Sequence, residues 1–329
     1  MINYAETMNS ILPDRVPSGI FGFSFLSWQG NSISFEQSSW MVYLIYAVLI
    51  FSCFFIFIFK DQVRKAYQNN TRTVMNVTQA FGIFIIGLSF FRITILAVGG
   101  YPNLWELIPF HFCRFFVLLI SFSLTFRKIH FVKYFSVFAI GGGIMGLLIP
   151  DLSNSEYWTE FGGADIGIDN YVFWDYFIIH ASSVFISVYL LTALKPIFYK
   201  SQMVYTIVAM ATFTITLFLV NLALSDVPDR RWRPNWFYLG IPSVNGIDDM
   251  LEPFLGPLVS YPAILFTFMT LGSIMYVGVT MIYINSDRIQ FILWDEEKST
   301  YTFKIKFIPS ENMHNFQVGP LAYREKYNL

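Results

Sequence analysis

Residues 107–126, LIPFHFCRFFVLLISFSLTF, form an apolar run long enough to cross a bilayer, yet His111, Cys113 and Arg114 stand within one turn near its start. About twenty apolar residues rising 1.5 Å each match the hydrocarbon thickness, so the run reads as a membrane helix. An ionisable side chain at that depth costs a few kcal/mol unless it faces protein or trapped water. The cluster therefore needs a pocket around it.

The rest of the chain has the same character. Its 329 residues are 55% hydrophobic and 13% charged, with 37 Phe and 8 Trp and a mean hydropathy of +0.52. A soluble domain carries about a quarter charged residues, so lipid is the main solvent of this chain. A net charge of −1, with basic residues scattered between apolar runs, argues against nucleic acid as a partner. Cys53 and Cys113 both lie in apolar segments, which gives neither a disulfide framework nor metal-ligand spacing. Residues 1–39 hold one basic residue, Arg15, and no apolar core of a cleaved signal.

Seven runs reach spanning length or approach it: 40–59, 74–98, 107–126, 134–149, 171–193, 203–224 and 261–284, the fourth being the shortest. The expected fold is an all-α, seven-helix transmembrane bundle over 40–284, preceded by an external segment 1–39 and followed by a cytosolic tail 285–329. Segments 60–73, 127–133 and 194–202 hold four, three and two Lys or Arg, against none in 99–106 and 150–170. Positive-inside bias then places the N-terminus outside and the tail in the cytoplasm. Arg230, Arg231 and Arg233 run against that rule, but they sit among acids in a long connection, which weighs less. The aromatic stretch 21–28 fits a short strand and an interfacial anchor equally well. Alternation in 301–307 after the polar turn 295–299 predicts a hairpin in the tail. Gly141, Gly142 and Gly143 permit close helix approach.

Depth counting groups the polar residues. Cys113 and Arg92 each lie about 9 Å inside the outer boundary, His111 is shallower, and His180, Asn221 and Asp151 fall in the same outer half. Cys53 lies in the inner half and reads as a packing residue. On a continuous helix Glu106, Phe110, Cys113 and Val117 share one face, while His111 and Arg114 share another. Tyr176, His180, Ser183 and Ser187 make a polar stripe on the fifth run, so His180 is the better-placed base for Cys113. Each has a plainer reading: Cys113 as packing, Arg92 paired with Glu106, Arg114 on a lipid phosphate or Phe115, Asn221 as an interhelical hydrogen bond, Asp151 as a loop residue.

Taken in order, short motifs resemble a known family. Leu107-Ile-Pro-Phe-His-Phe-Cys113 resembles the Leu-Pro-Leu-His-Leu-Cys signature of the bacterial YwaF-like integral membrane proteins, which belong with eukaryotic transmembrane protein 164. The segments GGIMGLLIPDL (142–152), FWDYFIIH (173–180), LVNL (219–222), NWFYL (235–239) and 251–262 are similar to later family patterns, so the resemblance covers about 105–285. It implies a seven-helix fold and, for the eukaryotic member, acyl transfer between phospholipids through a cysteine helped by histidine. By motif these are Cys113 and His180, with His111 as second choice. The position after the cysteine is often acidic in YwaF-like proteins and is Arg114 here.

Such chemistry needs no metal or nucleotide. A thiolate attacks a lipid ester, and a lysolipid hydroxyl then takes the acyl group. In apolar surroundings the thiolate needs a cation, Arg92 or Arg114, or proton transfer to histidine. Asn221, Asn235 or Tyr238 would donate to the oxyanion, and Asp151 completes the expected substrate-binding set with the two arginines. The expected partners are membrane lipids, in the cytoplasmic membrane of a bacterium with an AT-rich genome. The alternatives are a small-solute transporter or substrate-binding membrane subunit without catalysis, and a structural or signalling seven-helix protein.

Overall fold

The computed structural model describes residues 33–98, 104–148, 150, 167–229, 232–239, 261–286, 288–295 and 300–307. Seven helical spans occur among them, as the hydropathy pattern predicts. We label the helices α1 (Ser39–Ile58), α2 (Lys60–Asn69), α3 (Thr71–Val98), α4 (Phe112–Thr125), α5 (Val132–Leu148), α6 (Tyr171–Leu194), α7 (Lys200–Ala223) and α8 (Tyr261–Ser286). α2 is a short polar helix; the others are the spans. The tail forms the expected antiparallel hairpin, β1 (Ile289–Asp295) with β2 (Thr300–Phe307), in which Ile289 pairs with Phe307. The stretch 21–28 and Asp151 lie outside the described residues.

The third span departs from the continuous helix expected over 107–126. A 3-10 turn at Leu104–Leu107 is followed by irregular backbone, and α4 begins only at Phe112 with His111 as its N-cap. Pro109 is the cause: it lacks an N–H, its ring clashes with the preceding turn, and it pushes Ile108 out of the helical region. The chain turns tightly there, Phe110 N–H donating to the Ile108 carbonyl at 2.8 Å. Cys113 is therefore in the first turn of a helix rather than two turns inside one.

α5 is the axis of the bundle, and its glycines set the spacing. A Cβ on Gly141 would lie 1.9 Å from Met275 Sδ of α8, and one on Gly142 2.6 Å from the Phe112 ring of α4. One on Gly143 would lie 3.0 Å from the His180 carbonyl of α6. Three neighbours thus approach one helix on three sides, where only hydrogen fits. Lipid gives no hydrophobic drive for helix association, so this close van der Waals contact holds the spans together. Side chains of α6 reinforce it: Ser183 Oγ donates to the Ala139 carbonyl at 2.7 Å and Tyr176 Oη to the Gly146 carbonyl at 2.5 Å.

At one end of the bundle, basic and amide side chains satisfy the last carbonyls of the helices that stop there. Lys60 Nζ donates to Ser286 O of α8 at 2.6 Å, Arg64 Nε to Thr192 O of α6 at 3.1 Å, and Gln79 Nε2 to Thr125 O of α4 at 2.8 Å. Helix C-termini carry partial negative charge and open acceptors, which explains this clustering of cations. α4 closes in a Schellman arrangement, with Lys128 N–H on Ser123 O and Arg127 N–H on Leu124 O. That places Arg127 at φ 55°, and its guanidinium reaches Asn76 and Gln79 of α3.

The glycine spacing has a measurable consequence. Gly143→Val forces α5 away from α6 and costs about 1–3 kcal/mol through overpacking. Its thermal unfolding midpoint in micelles falls well below that of Gly87→Val, whose Cβ meets nothing within 4 Å. Equal midpoints would refute the packing argument.

Candidate functional site

The break in the third span leaves carbonyls that a helix would have paired, and in a membrane they must find partners within the protein. They do. Arg92 Nη1 of α3 donates to Glu106 O at 3.0 Å, Trp236 Nε1 to Trp105 O at 3.2 Å, and Phe237 N–H to Phe110 O at 3.2 Å. The segment 232–239 is thus drawn into the bundle. Asn221 of α7 fixes it there, its Nδ2 donating to Trp236 O at 2.9 Å and its Oδ1 accepting from Trp236 N–H at 3.3 Å. Phe237, at φ 54°, is fully buried and packs its ring 5.2 Å from that of Phe112.

Around the same break lies a charge network. Arg92 Nη2 meets Glu106 Oε2 at 2.8 Å, the plainer of its two sequence readings, and its Nε meets Asp175 Oδ2 at 3.1 Å. Arg114 is ion-paired with the same Asp175 oxygen, and Tyr171 Oη donates to Asp175 Oδ1 at 3.5 Å. His111 Nε2 lies 3.6 Å from Glu106 Oε2, its ring against that of Trp105. The helical wheel separates His111 from Glu106; the turn at Pro109 brings them together. Two buried arginines are balanced in formal charge by the buried Asp175 and the half-buried Glu106, which is how a low-dielectric site tolerates them. Arg114 Nη1 is buried with no hydrogen-bond partner.

Sequence reasoning passed over Asp175. It is the only Asp or Glu in the seven spanning helices α1 and α3–α8, and that was signal enough. It stood in a stretch read for its aromatic rings, one position off the polar stripe.

Cys113 and His180 occupy one face of α5. The Cys113 thiol donates to the Gly142 carbonyl at 2.9 Å, and its sulfur lies 3.2 Å from where a Gly142 Cβ would stand. His180 Nε2 lies 2.3 Å from the equivalent point on Gly146. Positions four apart on a helix stack one turn apart, about 5–6 Å between Cβ sites, so thiol and imidazole pack on successive turns of the same glycine face. No hydrogen bond joins them. His180 Nδ1 sits 2.6 Å from the Tyr176 carbonyl. A carbonyl only accepts, so Nδ1 carries a proton and the Nε2 lone pair is open. Both side chains are half-buried.

The other residues fall elsewhere. The amide of Asn221 is committed to Trp236, Asn235 precedes the 3-10 turn Trp236–Tyr238, and the side chain of Tyr238 lies outside what is described. Cys53 packs among apolar residues shared by α1 and α6.

The network makes a quantitative prediction. Asp175→Leu strips the shared countercharge from two buried guanidinium groups and costs about 3–5 kcal/mol. The double variant Arg114→Met/Asp175→Leu recovers most of that loss, because the Arg92–Glu106 pair remains intact. Thermal unfolding of the singles and the double checks it; strictly additive losses would overturn the assignment of Arg114 to Asp175.

Neither curated proteins nor solved structures give a significant match to the chain. The TMEM164 family model matches residues 33–280, which extends the likeness seen from motifs over 105–285 to include the first two spans. A broken third span carrying the cysteine, set against the glycines of α5 and the histidine of α6, therefore sits inside the matched region, and the chain is a membrane protein belonging to the TMEM164 family.

Proposed function

We propose that this protein is an integral membrane phospholipid acyltransferase working through a Cys113 thioester. The reading rests on one observation above all: the Cys113 sulfur and the His180 ring share the glycine face of α5, one helical turn apart. In the first half-reaction His180 Nε2 takes the thiol proton while Sγ attacks the ester carbonyl of a phospholipid. The ester C–O bond breaks, and the proton passes to the departing lysolipid oxygen. In the second half an acceptor lysolipid hydroxyl gives its proton to His180 and attacks the thioester. The C–S bond then breaks and the proton returns to sulfur.

Two features support this assignment. The first N–H groups of an α-helix have no carbonyl one turn back, and in α4 these belong to Phe112, Cys113 and Arg114. They are donors for an oxyanion forming on a carbon bonded to Sγ, a task that Asn221 is too occupied to serve. The second is the ion-pair network of Arg92, Arg114, Glu106 and Asp175, which holds the start of α4 against α3 and α6. The Lys- and Arg-rich end of the bundle is the cytoplasmic one on positive-inside grounds, so the reaction takes place in the outer leaflet of the cell membrane.

The test uses purified protein in vesicles containing a labelled diacyl phospholipid and a lysolipid. Transfer of label and a mass adduct on Cys113 are expected. Cys113→Ala abolishes both, and His180→Gln slows transfer by roughly 10²–10⁴-fold while leaving the unfolding midpoint near wild type. Undiminished turnover in Cys113→Ala sinks the proposal. Stabilisation by a water-soluble metabolite with no lipid turnover would favour a solute carrier instead.

A further inference from the structure

The His180 imidazole has three neighbours that fix it, and Tyr176 supplies two of them. The residues are four apart on α6, so their side chains stack one turn apart. The Tyr176 ring lies on the His180 ring with centroids 4.2 Å apart and planes tilted by 36°. The Tyr176 carbonyl, 2.6 Å from Nδ1, accepts its N–H. The third neighbour is α5: a Cβ built on Gly146 would stand 2.2 Å from His180 Cδ2 and 2.3 Å from Nε2, far inside contact distance.

The phenol joins these contacts into one unit. Tyr176 Oη donates to the Gly146 carbonyl at 2.5 Å, so the glycine that admits the imidazole edge also anchors the ring stacked on it. A histidine acting as a base needs an acceptor on its other nitrogen to set the tautomer, and a carboxylate often serves. Asp175, next to Tyr176 in sequence, is committed to Arg92 and Arg114. The Tyr176 carbonyl takes that place. One hydrogen bond still leaves the ring able to turn about its Cβ–Cγ bond, a torsion with broad wells. Stacking on Tyr176 and the close approach of Gly146 remove that freedom.

We propose that Tyr176 is a positioning residue which, with Gly146, holds His180 in the single tautomer protonated on Nδ1 and keeps Nε2 on the α5 face where Cys113 is seated. Its part in acyl transfer rests on the acyltransferase reading above. The tautomer does not, because the clamp belongs to the resting protein.

The experiment reads the tautomer directly. Full-length protein carrying ¹⁵N-histidine is placed in phosphatidylcholine nanodiscs at about pH 8, where an ordinary imidazole is neutral. The His180 ring signals are those that disappear in His180→Gln. In wild type a protonated Nδ1 and a bare Nε2 are expected. Gly146→Ala and Tyr176→Leu are expected to show mixed tautomers and to lower kcat of lipid transfer by about tenfold or more, with KM changed by less than about twofold. Ala is the better helix former, and the clash in Gly146→Ala falls on the movable imidazole rather than on backbone, so the fold is kept. Tyr176→Phe retains the stacking ring and recovers most of the tautomer and the rate. Gly87→Ala, whose Cβ meets nothing within 4 Å, changes neither. A single Nδ1-protonated tautomer in Gly146→Ala and Tyr176→Leu, with undiminished transfer, overturns the clamp and leaves acyl transfer standing. The expected tautomer shifts without any transfer in wild type overturn acyl transfer and leave the clamp. A wild-type His180 protonated on Nε2 overturns the clamp outright.

Discussion

Everything at the candidate site follows from one constraint: peptide groups freed from a helix inside a membrane must be bonded by protein. Pro109 interrupts the third span: the carbonyls of Glu106 and Phe110 lose their helical donors, and that of Trp105 keeps only the bond from Ile108 N–H, with capacity for a second. Arg92 answers one, and segment 232–239 answers the other two. Because Arg92 is drawn there, carboxylates must follow, and Glu106 and Asp175 hold it from two sides. The irregular turn, the charges and the inserted loop are thus a single structure.

The gain from the break is a helix start at membrane depth. A continuous helix would bury the peptide N–H groups of residues 112–114 in its own hydrogen bonds. Starting α4 at Phe112 instead leaves them without intrahelical partners, while the bulk of the span remains anchored by aromatic contacts such as Phe116 on Phe138. Glycines in α5 complete the arrangement. Their missing side chains leave space on one face that the thiol and the imidazole both occupy, so the same residues that bring helices together also seat the two polar side chains.

The sequence made the number of spans and the tail hairpin legible, because long apolar runs and strict alternation are local patterns. Depth counting also brought Cys113, Arg92, His111 and His180 to one end of the bundle, since rise per residue is nearly constant. Facing was less legible. A helical wheel drawn through Pro109 assumes a regularity that proline removes, and it wrongly separated His111 from Glu106. Asp175 was visible as the lone acid of the spans, but its partners on α3 and α4 are non-local and no spacing rule reports them. The role of Asn221 was likewise hidden: its partner Trp236 lies 15 residues away across a connection whose path only the folded chain defines.

The ion pair between Arg114 and Asp175 joins residues 61 positions apart, on helices that leave the ribosome at different times. When α4 enters the bilayer its arginine has no countercharge there, and α6 later arrives with an aspartate equally ill suited to lipid. Each is costly to insert alone. The pair thus couples two spans in the order of synthesis as well as in space: neither charge is compensated inside the membrane until both helices are present.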